Sequence, residues 1–271
     1  MIRPLLALAL ALGLDSKAPQ DTFQQDYERA AEARDAEQLA ALWRAQPGRV
    51  LPTFDGDLEA SLALWESARE QPDLAGIERL EQRALFAAQQ ASRVLDRPLL
   101  EDYASAFVGW NEVQRLEFRA GQRAFGKSRE AAKAGDQEGA LAAALDCAAR
   151  AESLGDWWGL AMGAGGAAGA LMALERYDEA LVHAARARLI NQQLGLAGEE
   201  LSATLLVAEC CVRLQRFERG LSAAHSADLR LEKGPAPLRR RALAARHACE
   251  LGLGQKEAAA ETQKRLEALP R

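Results

Sequence analysis

The chain has 271 residues, 49% of them hydrophobic but only 6% aromatic, and carries a net charge of −5. That length suits one large domain or two modest ones, and the negative charge argues against general nucleic-acid binding. Alanine, leucine, glutamate, glutamine and arginine are good helix formers and point to an all-helical chain; the excess of arginine over lysine is that of a GC-rich genome, which also inflates alanine and glycine.

The N-terminus, MIRPLLALALALGL, sets one arginine before eleven uncharged, mostly apolar residues. This run matches the hydrophobic region of a secretory signal and is too short for a membrane span. A signal peptide over residues 1–18 is therefore expected, with cleavage after Gly13 or Ala18 and export to the periplasm or beyond. A buried first helix in a cytoplasmic protein is the alternative. No cysteine follows the run, so it is not a lipoprotein signal.

Phe23 to Ala33 and Glu37 to Gln46 read as a helix pair around the turn Arg34-Asp35-Ala36. Pro47 and Pro52 both disfavour helix continuation, so residues 48–52 read as a break. Asp57 is placed to cap a helix over 58–70. The acidic run Asp55-Gly56-Asp57-Leu58-Glu59 lacks the ligand series of a calcium loop, and a helix start is the better reading. Pro72 and Pro98 bound a long helix over 74–96, and another runs over 99–119. Residues 19–120 are expected to form degenerate helical repeats continuing the array that follows; a helical cap is the alternative. Arg115, Arg119, Arg123 and Lys127 recur every four residues, so an unbroken helix would carry them as one basic stripe. The stripe is either a solvated face or a dock for an acidic peptide.

From about residue 121 the chain repeats itself at a shift of about forty. Residues 134–141 (AGDQEGAL) meet 174–181 (LERYDEAL), 214–221 (LQRFERGL) and 254–260 (GQKEAAA). Ala144, Ala184 and Ala224 coincide in this frame, as do Cys147, Ala187 and Ala227. Each unit reads as a helix, a short turn, a second helix and a loop, with small residues along one face of the second helix. The pattern resembles the tetratricopeptide repeat in the forty-residue form of kinesin-light-chain-like arrays. Tyr177 and Phe217 at the aromatic position carry the resemblance, with Ala180 and Ala260 three residues later and Ala187 and Ala227 seven beyond that. Gln137 and Glu257 depart from it, and the first helices have Ala164 and Ala167 in place of the usual tryptophan and leucine.

Within this frame the stretch 163–169 (GAGGAAG) falls inside the first helix of the second unit. Its G-x-G-x-x-A spacing matches a dinucleotide loop, but no strand precedes it and no βαβ alternation surrounds it. Four glycines in a helix interior cost about 1 kcal/mol each relative to alanine. Close packing of a neighbouring helix, compositional drift, or approach of a ligand chain would account for them.

Cys147, Cys210, Cys211 and Cys249 fall inside helical patterns and read as buried free thiols. That state is unusual for an exported chain. His183, His225 and His247 stand apart without partner motifs. No G-x-S-x-G, H-E-x-x-H or G-K-[ST] motif occurs, so neither catalysis nor a metal or cofactor is expected. Residues 4–110 carry 18 acids against 10 bases, a net of −8, whereas residues 211–271 carry 7 acids against 13 bases, a net of +6. Arg239-Arg240-Arg241 opens a helix, where the dipole disfavours positive charge, and this favours a contact role.

The resemblance implies an all-α, right-handed superhelical solenoid of antiparallel helix pairs with four repeats over 121–271. It also implies a protein-interaction scaffold that holds a peptide or partner protein in its concave groove. Carried over from Tyr177, the groove positions are Met162, Gly165, Gly169 and Met172 in the second unit. The third unit offers Ser202, Leu205, Glu209 and Arg213, and the first Gln122, Phe125, Arg129 and Lys133. The alternative is a self-assembling structural solenoid, to which the charge asymmetry lends itself. A helical enzyme is the remote alternative. No nucleic-acid partner and no integral membrane span are expected.

Overall fold

The computed structural model describes residues 22–270 apart from Arg69. The expected signal peptide over 1–18 lies outside the described residues. Among these the chain is all-helical, without a strand. Five helices form the first part: α1 (Phe23–Glu32), α2 (Ala36–Ala45), α3 (Val50–Ser67), α4 (Leu74–Leu95) and α5 (Pro98–Val108). Eight more form four hairpins: α6 (Glu112–Ala134) with α7 (Gln137–Leu154), α8 (Trp157–Ala173) with α9 (Tyr177–Leu194), α10 (Ala197–Arg213) with α11 (Phe217–Arg230), and α12 (Ala236–Gly252) with α13 (Lys256–Glu267).

Turn chemistry explains the hairpins. Helices that end in a left-handed residue satisfy their last carbonyls and reverse direction at once. Gly135, Glu175, Gln215 and Gly254 hold this conformation between the two helices of successive hairpins. Gly155 and Gly195 hold it between one hairpin and the next. Arg34 and Asp96 repeat the device in the first part of the chain, so α1–α2 and α4–α5 turn as the later pairs do. Asp35, Asp73, Asp136 and Asp156 then cap the following helices by accepting a backbone N–H three residues on.

Consecutive helices from α6 to α13 pack each on the next. Small residues make the contact close: Ala144, Ala180, Ala184, Ala187, Ala224 and Ala227 are fully buried. The first helices of successive hairpins also touch, α6 on α8, α8 on α10 and α10 on α12. The second helices α7, α9 and α11 make no comparable contact with one another. The last hairpin is one residue out of frame. Its left-handed turn falls on Gly254, 39 residues after Gln215, so Ala259 takes the buried place expected of Ala260, which is exposed. The buried carboxylate of Asp228 on α11 locks this end together, pairing with Arg265 of α13 at 2.7 Å and Arg246 of α12 at 3.0 Å.

The first five helices share one apolar core with the hairpins. It runs from Phe23, Tyr27 and Trp43 through Phe54, Tyr103 and Phe107 to Leu154, Leu160, Ile190 and Leu194. α5 lies against α8 and α9, and the Trp110 indole donates to the Leu154 carbonyl at 2.9 Å. Three expectations fail here. Pro52 does not break the chain, because it sits in the first turn of α3, where its missing N–H would have had no helical partner. Asp57 therefore caps nothing; it is buried mid-helix and bound to Tyr27 and Arg83. The single helix over 99–119 is two, split at residues 109–111. Asn111 and Gln114 form a reciprocal capping box that starts α6, and α6 runs on through residue 120.

The basic stripe is half consumed by this docking. Arg115 pairs with Glu81 of α4 at 2.9 Å, and Arg119 with Glu59 and Glu66 of α3 at 2.7 and 2.8 Å. The acidic partner of these two arginines is the chain's own first half.

Candidate functional site

Two concave features stand out. The first is an open depression of about 700 Å³ across the C-terminal part of α8 and the neighbouring faces of α10 and α12. Met172, Val212, Ala245 and Ala248 form its apolar floor, and Glu209, Arg213, Arg240 and Arg241 its charged rim. Arg241 holds Glu209 with two parallel bonds of 2.7 and 2.8 Å. Arg240 donates to the Pro270 carbonyl at 2.9 Å, which holds Pro270 beside the depression. Arg213 is exposed and lies 5.0 Å from the centre of the Tyr177 ring. With Glu209 cancelling Arg241, two positive charges remain, in keeping with the basic last quarter of the sequence.

Of the twelve expected groove residues, the structure brings Met172, Glu209 and Arg213 together here. Arg129 and Lys133 are exposed on α6, Phe125 is half-buried with Arg129 over its ring, and Ser202 is exposed on α10. A side chain at Gly165 or Gly169 would meet nothing within 4 Å, so both open onto free space. Leu205 is a correction. It is fully buried against Ala227, Leu231 and Ala242, and the outward position is the half-buried Leu206. A step of four from Ser202 keeps the same face, whereas a step of three turns towards α11 and α12. Gln122 and Met162 belong to the second feature.

That feature is a partly enclosed cavity of about 230 Å³ between α3, α5 and the start of the hairpin array. Asp55 enters it from α3, Tyr103 from α5, Phe118 and Gln122 from α6, Cys147 and Arg150 from α7, and Asp156, Trp158 and Met162 from α8. The Tyr103 hydroxyl donates to Asp55 at 2.5 Å. Asp156 accepts the Gly159 N–H at 2.8 Å as the cap of α8. Burial pushes the Asp55 carboxyl up to about 7, against the pull of the Tyr103 hydrogen bond, with Glu59 and Asp156 adding to the rise. Burial likewise pushes Asp156 up to about 6. No sequence motif announces this cavity, because its acids come from helices about a hundred residues apart. The pair Trp157-Trp158 beside Asp156, in a chain poor in aromatics, is the one local sign.

A pH dependence follows. Both carboxyls hold protons in the folded protein that the unfolded chain, with carboxyls near about 3.9, has already released. Their stabilising contribution is complete below that value and is lost as pH rises through about 6 for Asp156 and about 7 for Asp55. The Asp55→Asn variant keeps an acceptor for Tyr103 but does not titrate. Wild type should therefore lose stability relative to Asp55→Asn between about pH 4 and about pH 8, by on the order of a few kcal/mol. Urea unfolding at a series of pH values reads the difference, and parallel profiles would show that Asp55 ionises without penalty.

Among the described residues no group of His, Cys, Asp or Glu side chains is placed to hold a metal ion, and no helix is long and apolar enough to cross a membrane. The four cysteines are free and buried. Burial pushes the thiols of Cys147 and Cys249 up to about 11 and Cys210 to about 12, which leaves little thiolate to oxidise. No protein-family model matches the chain, and no curated protein matches its sequence.

Proposed function

We propose that this chain is a protein-interaction scaffold built as a tetratricopeptide-like solenoid, and that it holds an acidic, extended peptide of a partner protein along its first helices. The observation that carries the reading is the depression across α8, α10 and α12, where three consecutive first helices present one apolar floor and an arginine rim. Contact between first helices, without comparable contact between second helices, supports a curvature that puts the first helices on the concave side. Solenoids of this kind use that side for extended binding. The uncompensated Arg213 and Arg240 favour an acidic ligand, and the shallow alanine floor favours small apolar side chains between the acids.

Export belongs to the same proposal. Buried, poorly ionised thiols remove the conflict between four cysteines and an oxidising compartment, and the N-terminal residue of the mature protein tests it. A start near Leu14 or Pro19 supports export, whereas an intact Met1 places the protein in the cytoplasm.

Site-specific photocrosslinking in the native cell tests the groove. A photoreactive residue at Met172 or Arg213 should capture a defined partner, while one at the exposed Val182 on α9 should not. Reversing the rim with Arg213→Glu and Arg240→Glu should weaken the captured partner at least about tenfold, with a steep salt dependence in the wild type. Equal capture from Val182 would remove the groove from the reading. The acidic first half and basic last quarter also favour head-to-tail self-assembly, for which light scattering over a salt series would show growth at low salt.

A further inference from the structure

The partly enclosed cavity beside Asp55 and Asp156 has a chemistry unlike the groove and independent of it. Every guanidinium at its rim is already matched: Arg119 by Glu59 and Glu66, Arg150 by Glu117 and Asp146. Neither Asp55 nor Asp156 forms an ion pair; Arg119, already held by its glutamates, acts on Asp55 only through space. Asp156, buried to 6% exposure, accepts only backbone N–H groups of its own helix start. Asp55 accepts only the Tyr103 hydroxyl, through Oδ1, and its Oδ2 takes no hydrogen bond from the described residues. That oxygen belongs to a half-buried side chain lining the cavity. Tyr103, Phe118, Trp158 and Met162 add aromatic surface and a thioether to its walls.

Two carboxyl groups without an ion-pair partner, set among aromatic side chains in a partly enclosed, mostly apolar pocket, repel anions. Cations gain from both the carboxylates and the rings. The volume of about 230 Å³ lies below the ~300–1,000 Å³ of drug-sized pockets, so the occupant is small. We propose that this cavity binds a small organic ammonium ion, with its charged head between Asp55 and Asp156 and its carbon skeleton against Phe118, Trp158 and Met162.

The cation selects ionised carboxylates, so binding releases protons and tightens as pH rises from about 5 to about 8. The groups facing Asp55 and Asp156 are Glu59 on α3, Tyr103 on α5, Glu117 and Arg119 on α6, and Cys147 and Arg150 on α7. The arginines stay charged and paired throughout this range, so the titration belongs to the two aspartates.

Calorimetric titration of the full chain with n-butylammonium and with tetramethylammonium, against n-butanol as the neutral control, decides the matter. At least one ammonium should bind about tenfold or more tightly than n-butanol, quench tryptophan fluorescence and release protons in buffers of differing ionisation enthalpy. The Asp55→Asn variant should weaken it at least about tenfold while keeping its melting temperature at neutral pH or raising it. Met162→Phe, which narrows the cavity without altering charge, should weaken it as well. Wild-type protein that prefers neither ammonium to n-butanol, or full affinity in Asp55→Asn, overturns the proposal.

Discussion

Replacing Asp57 with alanine is expected to lower the stability of the fold by about 3–5 kcal/mol, the usual cost of removing one partner from a buried ion pair. Asp57 is 5% exposed and serves three helices at once. From α3 it accepts Arg83 of α4 through both oxygens, at 2.8 and 2.5 Å, and the Tyr27 hydroxyl of α1 at 2.6 Å. Alanine leaves a nearly buried guanidinium with only the half-exposed Glu32 for a partner, and a buried phenol with none. Two desolvated groups lose their compensation together. The damage is not local, because Tyr27 and Phe54 belong to the same core as Leu160 and Ile190. Urea unfolding followed by circular dichroism measures the loss. Asp57→Asn, which retains an acceptor, should fall between wild type and alanine. The exposed Arg176–Glu179 pair at 2.7 Å is the control, since surface pairs contribute little, and Glu179→Gln should leave the midpoint unchanged. A loss under about 1 kcal/mol for Asp57→Ala would mean that water replaces the carboxylate freely.

The glycines of α8 are expected to divide, although one helix contains them all. Gly163→Ala should destabilise by about 1–3 kcal/mol, as overpacking against a rigid neighbour does. A methyl group there would stand 2.7 Å from the Ala148 nitrogen and 2.9 Å from the Ala144 carbonyl oxygen, both backbone atoms of α7. Backbone cannot step aside as a side-chain tip can, so the two helices must separate. Gly169→Ala meets nothing within 4 Å and should stabilise by up to about 1 kcal/mol through helix propensity alone. Gly165→Ala should behave like Gly169→Ala. Thermal unfolding of the three single variants gives the signs directly. Stabilisation by Gly163→Ala would show that α7 and α8 do not approach closely, and loss of stability in Gly169→Ala would mean that its open face is covered. The open pair also bears on the groove. A peptide lying across α8 would feel a methyl group at Gly169, so partner affinity should fall in a variant whose stability rises.

The local rules read well where their causes are short-range. Pro72 and Pro98 placed α4 over 74–96, within one residue of Leu74–Leu95, and the forty-residue frame put the turns of α8–α9 and α10–α11 just before Tyr177 and Phe217, where Glu175 and Gln215 take the left-handed conformation. Met172, Glu209 and Arg213 were legible through the repeat resemblance, which carries groove positions over from Tyr177, and Leu205 was misplaced because a step of three or four looks equally good without the next helix in view. The tertiary structure alone decided the rest. Asp57 became a buried anchor, and the stripe through Arg115 and Arg119 a dock for the chain's own acids. The cavity around Asp55 and Asp156 arose where α3 and α5 close over the first hairpins. Each of these depends on partners 26 to 60 residues away or farther. A helix follows from hydrogen bonds four residues long, so its sequence carries it. Whether a charge is solvated, paired or buried depends on what chain packing brings beside it, and neither residue states that alone.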